Sequence, residues 1–139
     1  MIIERVQGLT SKDKDDRIRC AEELGDLLEH GAPSSELEAV AASLIDAIVR
    51  ESNPETREAI TNTLAILASK NVGLKAPWSR LEEILDQFDT YSLQNALTAL
   101  GYSGDYAYEK TVSHFQTHGD GAVREAAADA LVELRASLK

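Results

Sequence analysis

Few residues in this sequence have both the type and the spacing that chemistry needs. His114 and His118 stand four apart, a helical spacing that directs two imidazoles toward one metal ion. Phe115, not a glutamate, follows the first of them, and no cysteine or third histidine clusters with the pair. They read as the polar end of a helix, close to its C-terminal dipole, so neither a metal nor any other cofactor is expected. Cys20 is the sole cysteine, which excludes an internal disulfide. It falls on an apolar stripe and reads as a buried small thiol, since a nucleophile needs an exposed, electropositive setting. Gly101-Tyr-Ser-Gly104 and Gly119-Asp-Gly121 read as turns between helices, with no phosphate-cradling form. No nucleophile, base and stabilising donor assemble from these parts, and the expectation is a protein that is not an enzyme, with no catalytic residues.

The arginines lead further. Aligning Arg17, Arg57 and Arg124 brings Leu24, Leu64 and Leu131 into register seven residues on, and Leu27, Leu67 and Leu134 ten residues on. Small or apolar residues fill the offsets between, as in Cys20 and Ala21, Ile60 and Thr61, Ala127 and Ala128. The first spacing is 40 residues and the second 67; the longer gap accommodates a further unit at Thr90, with Leu97 and Leu100 in register and only the arginine lost. A period of this size marks an internal repeat, and offsets of three, four, seven and ten trace one face of a helix.

Boundary signals agree with that reading. Asp13, Asn53 and Asp120 each stand four residues before the aligned arginine, where a short acceptor caps the first free N–H groups. Asn53 is followed by Pro54 and Glu55, suited to the first helical turn. Gly31, Gly73 and Gly101 read as left-handed residues just past the helix ends. Each repeat helix is preceded by a partner: Ile2 to Leu9; Glu36 to Glu51, opened by a Ser35/Glu38 capping box; Pro77 to Phe88; and Tyr106 to His118 behind Asp105. The expected fold is all-α, an α-solenoid of eight helices in four antiparallel pairs. It forms a single domain with repeats at about 1–31, 32–73, 74–103 and 104–139. With 139 residues, 43% of them hydrophobic, the core needs neither metal nor disulfide.

The run Asp120-Gly-Ala-Val-Arg-Glu-Ala-Ala-Ala-Asp-Ala-Leu-Val-Glu-Leu134 resembles the second-helix signature of HEAT repeats almost position by position, and Asn53-Pro-Glu-Thr-Arg-Glu-Ala59 is similar to it. Thr90 in place of arginine and Asp16 in place of the family's valine depart from the pattern. The resemblance implies a right-handed stack whose second helices line a concave face, and binding more often than catalysis. It also implies that the aligned arginines bond loop carbonyls or a neighbouring repeat's acid, which suits a guanidinium fork; a ligand-binding arginine row is the other reading. HEAT proteins include a metal hydroxylase built on His-Glu pairs, and this chain has no His-Glu dipeptide. HEAT-like DNA glycosylases bind duplex in a basic groove, and the charge here has the opposite sign.

The sequence carries 24 Asp plus Glu against 14 Lys plus Arg, a net of −10, which repels phosphate backbones and anionic lipid. Neither nucleic acid nor membrane is an expected partner. Residues 22–58 hold ten acids against Arg50 and Arg57, a local net of −8. Offsets one, five, nine and twelve face away from the apolar stripe. Offset one reads Ile18, Glu58, Tyr91, Glu125; offset five reads Glu22, Asn62, Asn95, Asp129; offset nine reads Asp26, Ile66, Ala99, Glu133. Tyr102, Tyr106, Tyr108 and Trp78 add aromatic rings near the turns, and Tyr106 and Tyr108 cannot both point inward. Glu22, Glu58, Asn62, Tyr91, Asn95, Tyr102, Glu125 and Asp129 form the candidate partner-binding set. A merely solvated face is the alternative. The segment Met1 to Arg5 lacks a leader pattern and no apolar run approaches a membrane span, so the expected location is cytoplasmic. Similarity to small acidic bacterial HEAT-like immunity proteins implies a basic protein partner, a toxin domain and commonly a cationic nuclease. An adaptor, assembly factor or chaperone-like HEAT protein of a larger complex is the alternative.

Overall fold

The computed structural model describes residues 2–138, and among them every regular element is helical. The α-helices are α1 (Lys14–Glu29), α2 (Ser34–Arg50), α3 (Pro54–Lys70), α4 (Trp78–Glu82), α5 (Thr90–Gly101), α6 (Glu109–His114) and α7 (Gly121–Ala136). Single 3-10 segments lie at Ile2–Thr10, Leu85–Gln87, Tyr106–Tyr108 and Phe115–Thr117. Short side-chain acceptors start the helices of the main row. Asp13 accepts from the Asp15 N–H at 2.8 Å, Asn53 from Thr56 at 3.0 Å, Asp89 from Ser92 at 3.3 Å and Asp120 from Ala122 at 2.9 Å, each such cap contributing about 1 kcal/mol.

Helices α1, α3, α5 and α7 pack on one another in chain order, forming one layer. Ile2–Thr10 packs on α1 and α2, α2 on α3 and α4, α4 on α5, and α6 on α5 and α7, forming the second. Leu24, Leu64, Leu97 and Leu131 are all buried in a single hydrophobic cluster between the layers. The ends of the row expose what its middle buries. Leu27 is 37% exposed while Leu28 is buried, whereas in α7 Leu134 is buried and Arg135 exposed. In α3, which has a neighbour on each side, both equivalent positions are buried, Leu67 with Ala68.

Several boundaries differ from the sequence reading. The stretch Pro77–Phe88 is α4 followed by a separate 3-10 turn, and Tyr106–His118 is a 3-10, α, 3-10 succession. Segments this short have little helical stability of their own. Their course follows the burial of Trp78, Leu81 and Leu85, and of Tyr108, Val112 and Phe115. Tyr106, by contrast, points outward. The Ser35/Glu38 capping box does not form: α2 starts at Ser34 behind Pro33 with no side-chain cap, and Glu36 is buried, accepting the Ile3 N–H at 3.3 Å. Gly31 and Gly73 are left-handed, with φ of 93° and 83°, but the third such residue is Gly104, φ 74°, not Gly101. Gly101 instead permits close helix contact, since a Cβ there would lie 2.7 Å from Ala130 Cα.

Candidate functional site

The aligned arginines are structural. Arg17 forms a two-pronged pair with the buried Glu51, Nε to Oε1 at 2.8 Å and Nη2 to Oε2 at 3.2 Å. Its Nη1 donates to the Ser11 and Lys12 carbonyls at 2.8 and 3.2 Å. The Glu51 carbonyl accepts in turn from Arg57 Nη2, and Arg57 Nη1 donates to the Gln87 carbonyl at 3.3 Å with its guanidinium 4.8 Å from the centre of the Phe88 ring. Three successive connectors are thereby threaded on two arginines. In α5 the cap is Asp89, and the Leu93 N–H donates to its carbonyl at 2.9 Å as those of Arg17, Arg57 and Arg124 donate to the carbonyls of their own caps. The arginine's place is therefore taken by Leu93 and not by Thr90, three residues from the register expected of the third unit. Arg124 donates to the carbonyls of His118 and Gly119 at 2.8 and 3.1 Å.

The remaining candidates for chemistry are also occupied or isolated. His118 Nδ1 accepts the Asp120 N–H at 3.1 Å, and His114 is exposed beside Phe115. Among the described residues no three His, Cys, Asp or Glu side chains converge as a metal-ligand group. Cys20 Sγ donates to the Arg5 carbonyl at 3.0 Å, and burial, reinforced by the charge of Glu23, pushes its thiol up from the ordinary value.

The acids make the distinctive feature. A groove of about 550 Å³ between α1 and α3 is lined by five carboxylates, Glu22, Asp26, Glu29, Glu55 and Glu58, together with Asn62, Ile18, Ile66 and Asn95. Two cations stand at its ends, Lys14 at 3.8 Å from Glu55 and Lys70 at 3.4 Å from Glu29. Among the described residues no Lys, Arg or His lies within 4 Å of the carboxylates of Glu22, Asp26 or Glu58. Helix α5 closes one side of the groove through Asn95, whose amide donates to the Glu58 carbonyl at 3.3 Å and to Thr61 Oγ1 at 3.2 Å.

Of the expected set, Glu22, Glu58, Asn62 and Asn95 meet in this groove. Tyr102 and Asp129 meet in a second groove of about 310 Å³, between α5 and α7, with Thr98, Ala130, Val132 and Glu133. Tyr91, 62% exposed, and Glu125 stand outside both. Ala99, expected outward, is buried, because with Leu93 in the arginine's place it takes the inward position of Thr63 and Ala130. Glu36 and Glu51 contribute to the −8 of residues 22–58 and yet are buried, so the groove draws on only part of that excess. Asp26, Glu29 and Glu55 are additions to the expected set. Asp26 and Glu29 stand at the outward offsets nine and twelve after Arg17, and Glu55, two residues before Arg57, is found by extending the same 3.6-residue period backward.

No protein-family model and no curated protein matches the chain. The fold is similar to that in a crystal structure of an engineered protein, with a TM-score of 0.70 at 19% identity, over 96% of this chain and 62% of the other. The present chain thus spans less than two thirds of that protein's length. A likeness at this identity concerns the fold alone.

Proposed function

We propose that this chain is a HEAT-like α-solenoid, with units near 1–31, 32–73, 74–103 and 104–139, that acts as a non-catalytic binding module for a basic protein. Its partner is read as a toxin domain, a cationic nuclease in the first instance, which the acidic groove neutralises by covering; the reading places the encounter in the cytoplasm. The observation that carries it is the α1/α3 groove, where Glu22, Asp26 and Glu58 face solvent without a cation of their own. Unpaired carboxylates gathered along a trough raise the local potential and steer a positive surface into it. Nucleic acid and anionic lipid are disfavoured by the same field.

The test is a comparative pull-down from the native host with wild-type protein and with Glu22→Lys/Glu58→Lys, followed by rapid-mixing kinetics on the retained protein. A basic partner held by the wild type alone is expected. Its on-rate falls as salt rises, and the double reversal lowers that rate about tenfold while flattening its salt dependence. Tyr91→Ala acts instead on the off-rate, as an exposed aromatic anchor does. A retained protein that is acidic, or one bound equally by wild type and double variant, rules the groove out as the interface.

A further inference from the structure

The open side of α7 carries a second, separate message. In α1, α3 and α5 the residues four, eight and eleven after the repeat origin lie on the side that receives the next helix. Ala21 accepts a hydrogen bond from Thr63 at 2.7 Å, Thr61 accepts one from Asn95 at 3.2 Å, and Gly101 abuts Ala130. The same positions in α7 are Ala128, Val132 and Arg135, and all three are exposed, Val132 to 62%. Glu125 is exposed beside them. Among the described residues α7 packs on α5, α6 and Phe115–Thr117, and no helix covers this side.

Beside the exposed Asp129, which borders the α5/α7 groove together with Val132, four exposed residues of this face are placed symmetrically about position 130. Glu125 and Arg135 stand five residues on either side of it, and Ala128 and Val132 stand two. If two such helices cross antiparallel about a two-fold axis at that point, each Glu125 meets the other copy's Arg135 and each Val132 meets the other copy's Ala128. Both charge pairs are then opposite in sign, and each large apolar side chain faces a small one. An arbitrary partner face requires no such palindrome; a self-complementary one does. We infer that the α7 face binds a second copy of this chain, giving an isologous dimer whose seam is Glu125, Ala128, Val132 and Arg135. The seam is independent of the acidic groove, which belongs to the other end of the row and stays open in the dimer.

Light scattering and analytical ultracentrifugation of the full chain across a concentration series test this. Twice the monomer mass is expected, with a Kd on the order of 10 μM for a seam this small between acidic chains. Val132→Asp is expected to leave only monomer. Glu125→Arg and Arg135→Glu each place like charges opposite one another at both ends of the seam, and each is expected to raise Kd about tenfold. The double variant Glu125→Arg/Arg135→Glu exchanges the two signs and is expected to return Kd to within about threefold of wild type, which loss of helix stability cannot mimic. A protein that stays monomeric at about 500 μM, far above that Kd, overturns the inference and leaves the face to a different chain. So does a dimer indifferent to Val132→Asp, and so do single reversals that the double variant fails to rescue.

Discussion

The α1/α3 and α5/α7 joints are built from equivalent positions and do different things with them. At the first, Glu22, Asp26, Asn62, Thr63 and Ile66 line the groove; counted from the cap of each helix, Thr98, Tyr102, Asp129, Ala130 and Glu133 occupy the same places at the second. Carboxylates crowd the first groove from both helices, whereas the second is smaller and takes the aromatic ring of Tyr102 in place of Asp26. The connectors differ as well. Arg17, Glu51 and Arg57 join three connectors at the first joint, while Arg124 serves only the loop before its own helix. One architecture therefore holds a charged trough where its loops are pinned, and a tighter helix contact where they are not.

The largest expected effect follows from that difference in pinning. Arg17→Met strands the buried Glu51 without its cation and is expected to cost about 3 kcal/mol. Arg124→Met removes bonds from an exposed side chain to loop carbonyls and is expected to cost about 1 kcal/mol or less. Urea denaturation of the two variants measures both, and equal losses would erase the distinction between the joints. Next in size is a glycine pair. Gly101→Ala drives a methyl group against the Ala130 backbone at 2.7 Å, with an expected loss of about 2 kcal/mol. Gly25→Ala meets Thr63 and Ile66 at 3.5 and 3.6 Å, ordinary contact distances, so the helix gains about 0.5 kcal/mol from the better helix former. Opposite shifts in melting temperature are the readout.

How much of this the sequence discloses depends on whether a local signal suffices. α1, α3 and α7 are legible from period and cap together, because Asp13, Asn53 and Asp120 sit at one fixed distance before the arginine. The broken courses of α4 and α6 are not, since they depend on which of Ile84, Leu85, Val112 and Phe115 the main row can accept. Outward offsets find the face that holds Glu22, Glu58 and Asn62. They miss the burial of Glu51, whose partner lies 34 residues away in Arg17, and the division of the face into two grooves, which follows from helix spacing.

The smallest effect concerns Cys20. Its raised thiol and its contact with Arg5 predict slow labelling by a disulfide reagent at pH 8, accelerating on denaturation to the rate of a free thiol. The sign for stability follows from the same shift. The folded state favours the protonated thiol, so this contribution is complete below the ordinary value of 9.0 and is lost as pH rises from there through the raised folded value. Alkaline titration of the melting temperature, with Cys20→Ala as the control, detects it; rapid labelling of the native protein would contradict the buried placement.

The arginine thread also has a mechanical meaning. Arg17 grips at the start of α1, and Glu29 meets Lys70 at the far ends of α1 and α3 across an exposed 3.4 Å pair. Between those two ends Thr63 Oγ1 donates to the Ala21 carbonyl at 2.7 Å, and Leu24, Leu28, Leu64 and Leu67 are buried beneath. The floor of the trough is therefore held along its whole length, while its rim carboxylates Glu22, Asp26 and Glu58 are exposed side chains that turn on the fast timescale of surface rotamers. What fills the trough meets a channel of fixed width with an adjustable charged lining.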